Sequence, residues 1–228
     1  MRQVIATLAL TITCVLVVAG CDDAKVNADT MTAQPMIPRP LVERELADLL
    51  LSAEQVNAAM GASAMSVIQT QTSMSDNSAS MAPAECLAID GAAEAAVYAD
   101  SGSWADRDQS LNDGDGFAHY VKQAVVLFPT TEKAGAFVDA SAQQWPVCRQ
   151  YTHLQSGTNW SVGRVSGANG ALSATAIEQD AAAPGWGCGR ALVLRNNVVI
   201  DVNTCSASPG DSALTIANQI ADNVAARW

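Results

Sequence analysis

The sequence predicts an α+β domain: a twisted antiparallel sheet with helices packed mainly on one face, held by two disulfides. Three observations carry this expectation. The run from Trp186 to Cys205 reads as a β-hairpin closed at its open end by two cysteines, amphipathic helical patterns lie between and after the β-prone runs, and an even four cysteines remain once the leader is set aside.

In the hairpin, Arg190 to Arg195 and Val198 to Asn203 are β-prone and flank Asn196-Asn197, two residues that tolerate the positive φ of a type I′ turn. A two-residue turn fixes the register. It sets Arg195 against Val198, Val193 against Ile200 and, further down the ladder, Cys188 against Cys205. The count places the cysteines at a non-hydrogen-bonded pair, where Cα atoms approach to about 4.5 Å, within disulfide range. Alternation then assigns Ala191, Val193, Val198, Ile200 and Val202 to the core, and Arg190, Leu192, Asp201, Asn203 and the disulfide to the other face. Arg190 is diagonal to Asp201. The plain reading is a solvated ion pair worth well under about 1 kcal/mol, and the alternative is a ligand contact.

The chain has 228 residues, 49% of them hydrophobic, enough for one domain with a real core. With 12 Lys+Arg against 23 Asp+Glu, a net charge of -11 and no basic cluster, nucleic acid and anionic lipid headgroups are poor partners. Residues 1-20 read as a signal peptide, with Arg2 as the basic n-region and Val4 to Val18 as the apolar run. Val18-Ala19-Gly20-Cys21 fits a lipobox, so Cys21 is the expected acylated N-terminus of a lipoprotein on the extracytoplasmic face of the cell membrane. Two or three acyl chains hold far better than one. The apolar run falls short of about 18 residues and meets Asp22-Asp23 at once, which argues against a membrane-spanning helix.

Cys14 leaves with the leader and Cys21 is modified. Cys86, Cys148, Cys188 and Cys205 remain, in a compartment that permits disulfides. The hairpin register joins Cys188 to Cys205, so Cys86 is left to Cys148. Chain-entropy estimates give about 3 kcal/mol for the short loop and about 4 kcal/mol for the long one. The chain has no C-x-x-C, so the bridges read as structural.

Residues 21-40 are polar or small and include Pro35, Pro38 and Pro40, as expected of a tether, and the domain spans 41-228. Leu41, Leu46, Leu49 and Leu50 recur at helical spacing, and Ser52 to Gln55 is a capping box for a second short helix that Gly61 closes. Val67-Ile68 is the nucleus of a brief strand before a long loop. The Ala-rich run after Cys86, ending near Tyr98, is ambiguous between helix and strand. Tyr120 to Phe128 is a strand. Thr131 is the expected cap of a helix with an apolar stripe of Ala134, Phe137, Val138 and Ala142, stopped by Trp145-Pro146. Trp160 to Val165 and Ala171 to Ile177 are strands around Gly167 to Gly170. Asp211 is the expected cap of a closing helix whose buried face is Leu214, Ile216, Ala217, Ile220, Val224 and Ala225.

LLLSAEQVNAAMG near the start, Tyr98 with SGSW, QQWPVC, CGRALVLRNNVVIDVNTC and IANQIADNVAARW occur in this order over Leu41 to Trp228. Together with the four-cysteine spacing they resemble the extracellular sensor domain of mycobacterial PknH-type receptor kinases, which also occurs on lipoproteins of the LppH kind. The resemblance implies a helix-flanked antiparallel sheet, two intradomain disulfides, a ligand-binding cleft and no enzymatic activity. It reaches no kinase or transmembrane segment here, so any signalling role would require a partner.

Other constellations are weaker. If Gly116 were the sixth residue of a calcium loop, Leu111 and Lys122 would hold the first and last ligand positions, and neither suits. Gly-x-Ser-x-Gly is absent, and His119 and His153 lack the spaced cysteines or carboxylates of a zinc site or triad. No metal or cofactor is expected. Tyr151, Trp160 and Trp186 are the aromatic candidates for ligand contact, suited to carbohydrate or a lipid headgroup, with core packing as the alternative; Arg190, Asp201 and Asn203 are the polar candidates. Three function classes follow: a non-enzymatic module that captures a small envelope ligand, a protein that docks another envelope protein, and a hydrolase. A cleft with convergent polar groups, a flat apolar patch, or a Ser/His/carboxylate cluster tells them apart.

Overall fold

A computed structural model describes residues 38–168 and 170–227. The expected leader over 1-20, Cys21 and most of the 21-40 tether lie outside the described residues. No described helix is long and apolar enough to cross a membrane.

The domain opens with a 3-10 helix, Glu43–Asp48, rather than an α-helix, yet it buries Leu41, Leu46 and Leu49 as the leucine spacing requires. Helix α1, Ala53–Met60, starts on the Ser52/Gln55 capping box and ends on Gly61 at φ 65. Strand β1 is Ser66–Gln71, an edge strand that leaves Val67 and Ile68 exposed. A long connection holds β2, Met81–Ala82, and leads into two single-turn helices, α2 at Leu87–Asp90 and α3 at Ala95–Tyr98, which resolve the ambiguous Ala-rich run.

Strands β3, Ala105–Asn112, and β4, His119–Leu127, follow. Strand β3 escapes the sequence reading because its buried alternate positions are Asp106, Asp108 and Ser110 instead of apolar residues. Helix α4, Thr131–Gln144, is capped by the Thr130 hydroxyl rather than by Thr131, and buries Ser141 where Ala142 was expected; Ala142 is exposed. Strands β5, Gln150–His153, β6, Asn159–Val162, β7, Ser166–Ala168, and β8, Ala171–Glu178, lead to the hairpin of β9, Gly187–Arg195, and β10, Val198–Ser206. Helix α5, Ser212–Ala225, closes the domain. The Asp211 side chain makes no capping bond, while the Ser212 hydroxyl donates to the Pro209 carbonyl.

The ten described strands form one antiparallel sheet, ordered β1-β3-β4-β10-β9-β8-β6-β5-β2 with β7 beside β8. The hairpin register is the expected one: Arg195 faces Val198 and Cys188 faces Cys205, with Cα atoms 4.0 Å apart in the disulfide. Cys86 is joined to Cys148, Cα atoms 5.1 Å apart. The turn keeps two residues but is not type I′, because only Asn196 takes a positive φ, 55. Asn197 turns inward instead. Its Oδ1 accepts from Leu41 N–H, and its Nδ2 donates to the Leu41 and Phe128 carbonyls, tying the start of the domain to the centre of the sheet.

Every residue of β10 is buried, because helices cover both faces of the central strands. On one face α5, the largest helical contact, packs Ile216, Ala217 and Ile220 with Val193, Ile200 and Val202. Leu214 and Ala225 sit at the flank of its stripe, only partly buried. On the other face, α4, Tyr98 and Trp145 cover Val126, Leu192 and Val199. There the apolar cover stops partway along the strands. Beyond it Asp106, Asp108, Lys122, Arg190, Asp201 and Asn203 share the same side of the sheet, all buried.

Candidate functional site

Arg190 and Asp201 are not the solvated pair that the sequence suggests. They are 3% and 1% exposed and ion-paired within the fold. Asp201 Oδ2 also accepts from Tyr98 Oη at 2.9 Å and from Ala93 N–H at 2.9 Å, and Arg190 donates to the carbonyls of Val202 and Gly91. The guanidinium lies 5.3 Å from the centroid of the Trp145 ring. The pair is therefore a clamp on the loop between α2 and α3. That loop is held tightly: Ala93 carries a φ of 50, and a Cβ on Gly91 would come within 2.6 Å of Glu94 Oε1. Asn203 Nδ2 adds a third anchor by donating to the Asp90 carbonyl at 3.0 Å.

The clamped loop forms one wall of a cleft of about 460 Å³ on the sheet face opposite α5. Strands β4 and β10 give its floor, with Lys122, Tyr120, Asn203 and the Cys188–Cys205 disulfide. Phe117, Trp186 and Trp160 give the aromatic side, with Phe117 centred 6.2 Å from Trp186 and 6.0 Å from Tyr120. Glu94 accepts from Asn77 N–H at 3.0 Å and from Asn77 Nδ2 at 2.8 Å. Burial pushes the Glu94 carboxyl up, against those two hydrogen bonds. His153 Nε2 meets Asp90 Oδ1 at 2.7 Å, a hydrogen bond that raises the imidazole pKa. His119 Nδ1 lies 2.8 Å from Asp113 Oδ2, so each histidine has one carboxylate partner that spacing did not reveal. Among the described residues, no group of three or more His, Cys, Asp or Glu side chains is placed to hold a metal ion.

Of the six ligand-contact candidates, Trp160, Trp186 and Asn203 line the cleft. Tyr151 does not. It is 3% exposed and stacks behind Trp160, centroids 5.9 Å apart, so core packing is its role. Arg190 and Asp201 position the wall without lining the cleft. Sequence reasoning missed Lys122, Tyr120, Phe117, Asp90 and Glu94. The available signal was a lysine inside the apolar strand Tyr120 to Phe128, a residue type seldom buried without a purpose.

A larger groove of about 650 Å³ runs past Trp104, Pro129 and Pro40 at the other end of β4. Two of its polar side chains are already engaged, Arg107 with Glu43 and Asn197 with Leu41 and Phe128, while Arg44 also lines it.

Beneath the cleft, Asp108 is fully buried and neither carboxylate oxygen has a hydrogen-bond partner. Burial pushes its carboxyl from 3.8 up to about 6, with the attraction of Lys122 partly opposing. The folded state then binds more protons than the unfolded chain between these values. Stability should therefore fall as pH rises from about 4 to about 6 and stay level above that. Asp108→Asn should remove this slope and stabilise the domain by about 2 kcal/mol at pH 7.5, with little effect below pH 4, as urea unfolding at several pH values would measure.

The fold and site together define a disulfide-stapled α+β domain with a polar cleft beside its central hairpin. The sequence profile of the PknH-like extracellular domain matches residues 41–223, and the chain belongs to that family. The serine/threonine-protein kinases PknH of Mycobacterium bovis and Mycobacterium tuberculosis are each 36% identical to it over 192 residues, covering 82% of this chain but only 32% and 30% of theirs. The chain thus spans about a third of the length of these relatives. The crystal structure of the extracellular domain of PknH from Mycobacterium tuberculosis superposes with a TM-score of 0.77 at 34% identity, covering 82% of this chain and 98% of that one.

Proposed function

We propose that this protein is an extracytoplasmic lipoprotein, anchored to the cell membrane through Cys21, whose domain is a non-enzymatic sensor or ligand-binding module. The observation that carries the binding reading is the cleft. It is of small-molecule size, one wall is held rigid by a buried ion pair, and two buried polar side chains, Lys122 and Asn203, face into it. Native mass spectrometry of the domain purified from its own envelope tests this. A copurifying small molecule that Trp186→Ala releases supports the reading, and an unliganded domain opposes it.

The lipobox supports the anchor. Cys21→Ala should yield protein that no longer partitions into the detergent phase of a Triton X-114 extraction, whereas unchanged partitioning would rule lipidation out. A second reading, docking of another envelope protein, draws on Trp104, which is 74% exposed over the larger groove. Because the relatives are receptor kinases, a kinase is a natural class of partner for such a module.

A further inference from the structure

We propose that the cleft takes an uncharged sugar, gripped by Lys122 and Asn203 and stacked against Trp186 and Phe117. The inference rests on the cleft being a binding site and names the class of its occupant.

Lys122 is 6% exposed, yet its ammonium, which has three protons to donate, makes one hydrogen bond among the described residues, to Ser75 Oγ at 3.2 Å. No described carboxylate is within ion-pairing distance of Nζ. Asn203 is 4% exposed and spends Nδ2 on the Asp90 carbonyl. Its Oδ1 has only the Cys205 sulfur nearby, at 3.4 Å, and that sulfur is in a disulfide and carries no proton. Asn203 and Lys122 are direct cross-strand partners on β10 and β4, which sets their Cβ atoms about 5 Å apart. A buried donor with protons to spare therefore stands beside a buried acceptor with a lone pair to spare. Neighbouring hydroxyls, or the amide of an acetamido sugar, offer the matching acceptor and donor.

Charge argues against the alternatives. Glu94, Asp106 and Asp108 are near enough to Lys122 to attract it, so a phosphate or carboxylate ligand would compete with these acidic side chains for its charge. A cation is poorly served by the carboxylates lining the cleft, since Glu94 is taken by Asn77 and Asp90 by His153, while the unpartnered Asp108 lies beneath the lining. Phe117, 40% exposed, and the half-buried Trp186 supply ring faces for the C–H surface of a sugar.

The test uses the domain from Ile37 onward, a compact unit by itself, titrated by tryptophan fluorescence and calorimetry with tetrasaccharides. Neutral glucose, mannose, galactose and N-acetylglucosamine oligomers are compared with uronic-acid and sulfated ones. A neutral oligomer should bind saturably, and Lys122→Met and Trp186→Ala should each weaken it at least tenfold. Should Lys122→Met not fold, Trp186→Ala and Phe117→Ala, both at partly exposed positions, decide the matter. Preference for the acidic sugars, neutral binding that these variants leave intact, or no sugar binding would overturn the proposal. If no sugar binds while envelope-purified domain carries another small molecule, only the sugar class falls; if it carries nothing, the cleft reading falls too.

Discussion

Asp201→Ala should cost about 3–5 kcal/mol of folding stability, because it strips a buried arginine of its only counterion in the described fold. The same change removes the acceptor for Tyr98 Oη and for Ala93 N–H, two further buried donors. The loss should not be confined to the global midpoint. With Arg190 unpaired and Ala93 released from its φ of 50, residues 90–94 should lose hydrogen-exchange protection before the sheet does. Urea unfolding with exchange mass spectrometry measures both effects. A loss below about 1 kcal/mol would return the pair to the solvated class that its sequence pattern suggests.

Ile220→Asp should be comparably severe. Ile220 is fully buried at the middle of the α5 stripe, between Ile216, Ala217 and Val224 and over Val193, Ile200 and Val202. The substitution removes a large apolar side chain and places a carboxylate in a site with no partner. Together these should cost more than about 4 kcal/mol, a large part of a typical domain's stability. Much of the population should be unfolded at 37 °C by circular dichroism. A thermal midpoint within a couple of degrees of wild type would show that α5 does not cover this face.

These two sites differ in how far they could be read in advance. The α5 face is visible in the helical spacing of Ile216, Ala217, Ile220 and Val224, and the Cys188–Cys205 bridge follows from a two-residue turn, because local periodicity and register are properties of short stretches of chain. The clamp is not local. Arg190 and Asp201 alternate onto what the sequence presents as an outer face, and only the distant loop that brings Gly91, Ala93 and Tyr98 over them makes it an interior. Strand β3 was hidden for the same reason. Its buried alternate positions are Asp106, Asp108 and Ser110, which sit opposite Val126, Ala124 and Lys122 in a pairing that spacing alone does not specify. Only part of the cleft was accordingly legible: Trp160, Trp186 and Asn203 could be named, whereas Lys122, Tyr120, Phe117, Glu94 and Asp90 required the fold.

The central claim, that the cleft beside the clamped hairpin is where this domain meets its ligand, is tested most directly by nuclear magnetic resonance. The isotopically labelled domain would be titrated with the small-molecule fraction released from its own envelope. The account predicts saturable shifts at the indole N–H groups of Trp160 and Trp186, the Asn203 side-chain amide and the backbone around Lys122, with Trp104 unmoved. Shifts centred on Trp104, Pro129 and Arg44, or none at all, would contradict it.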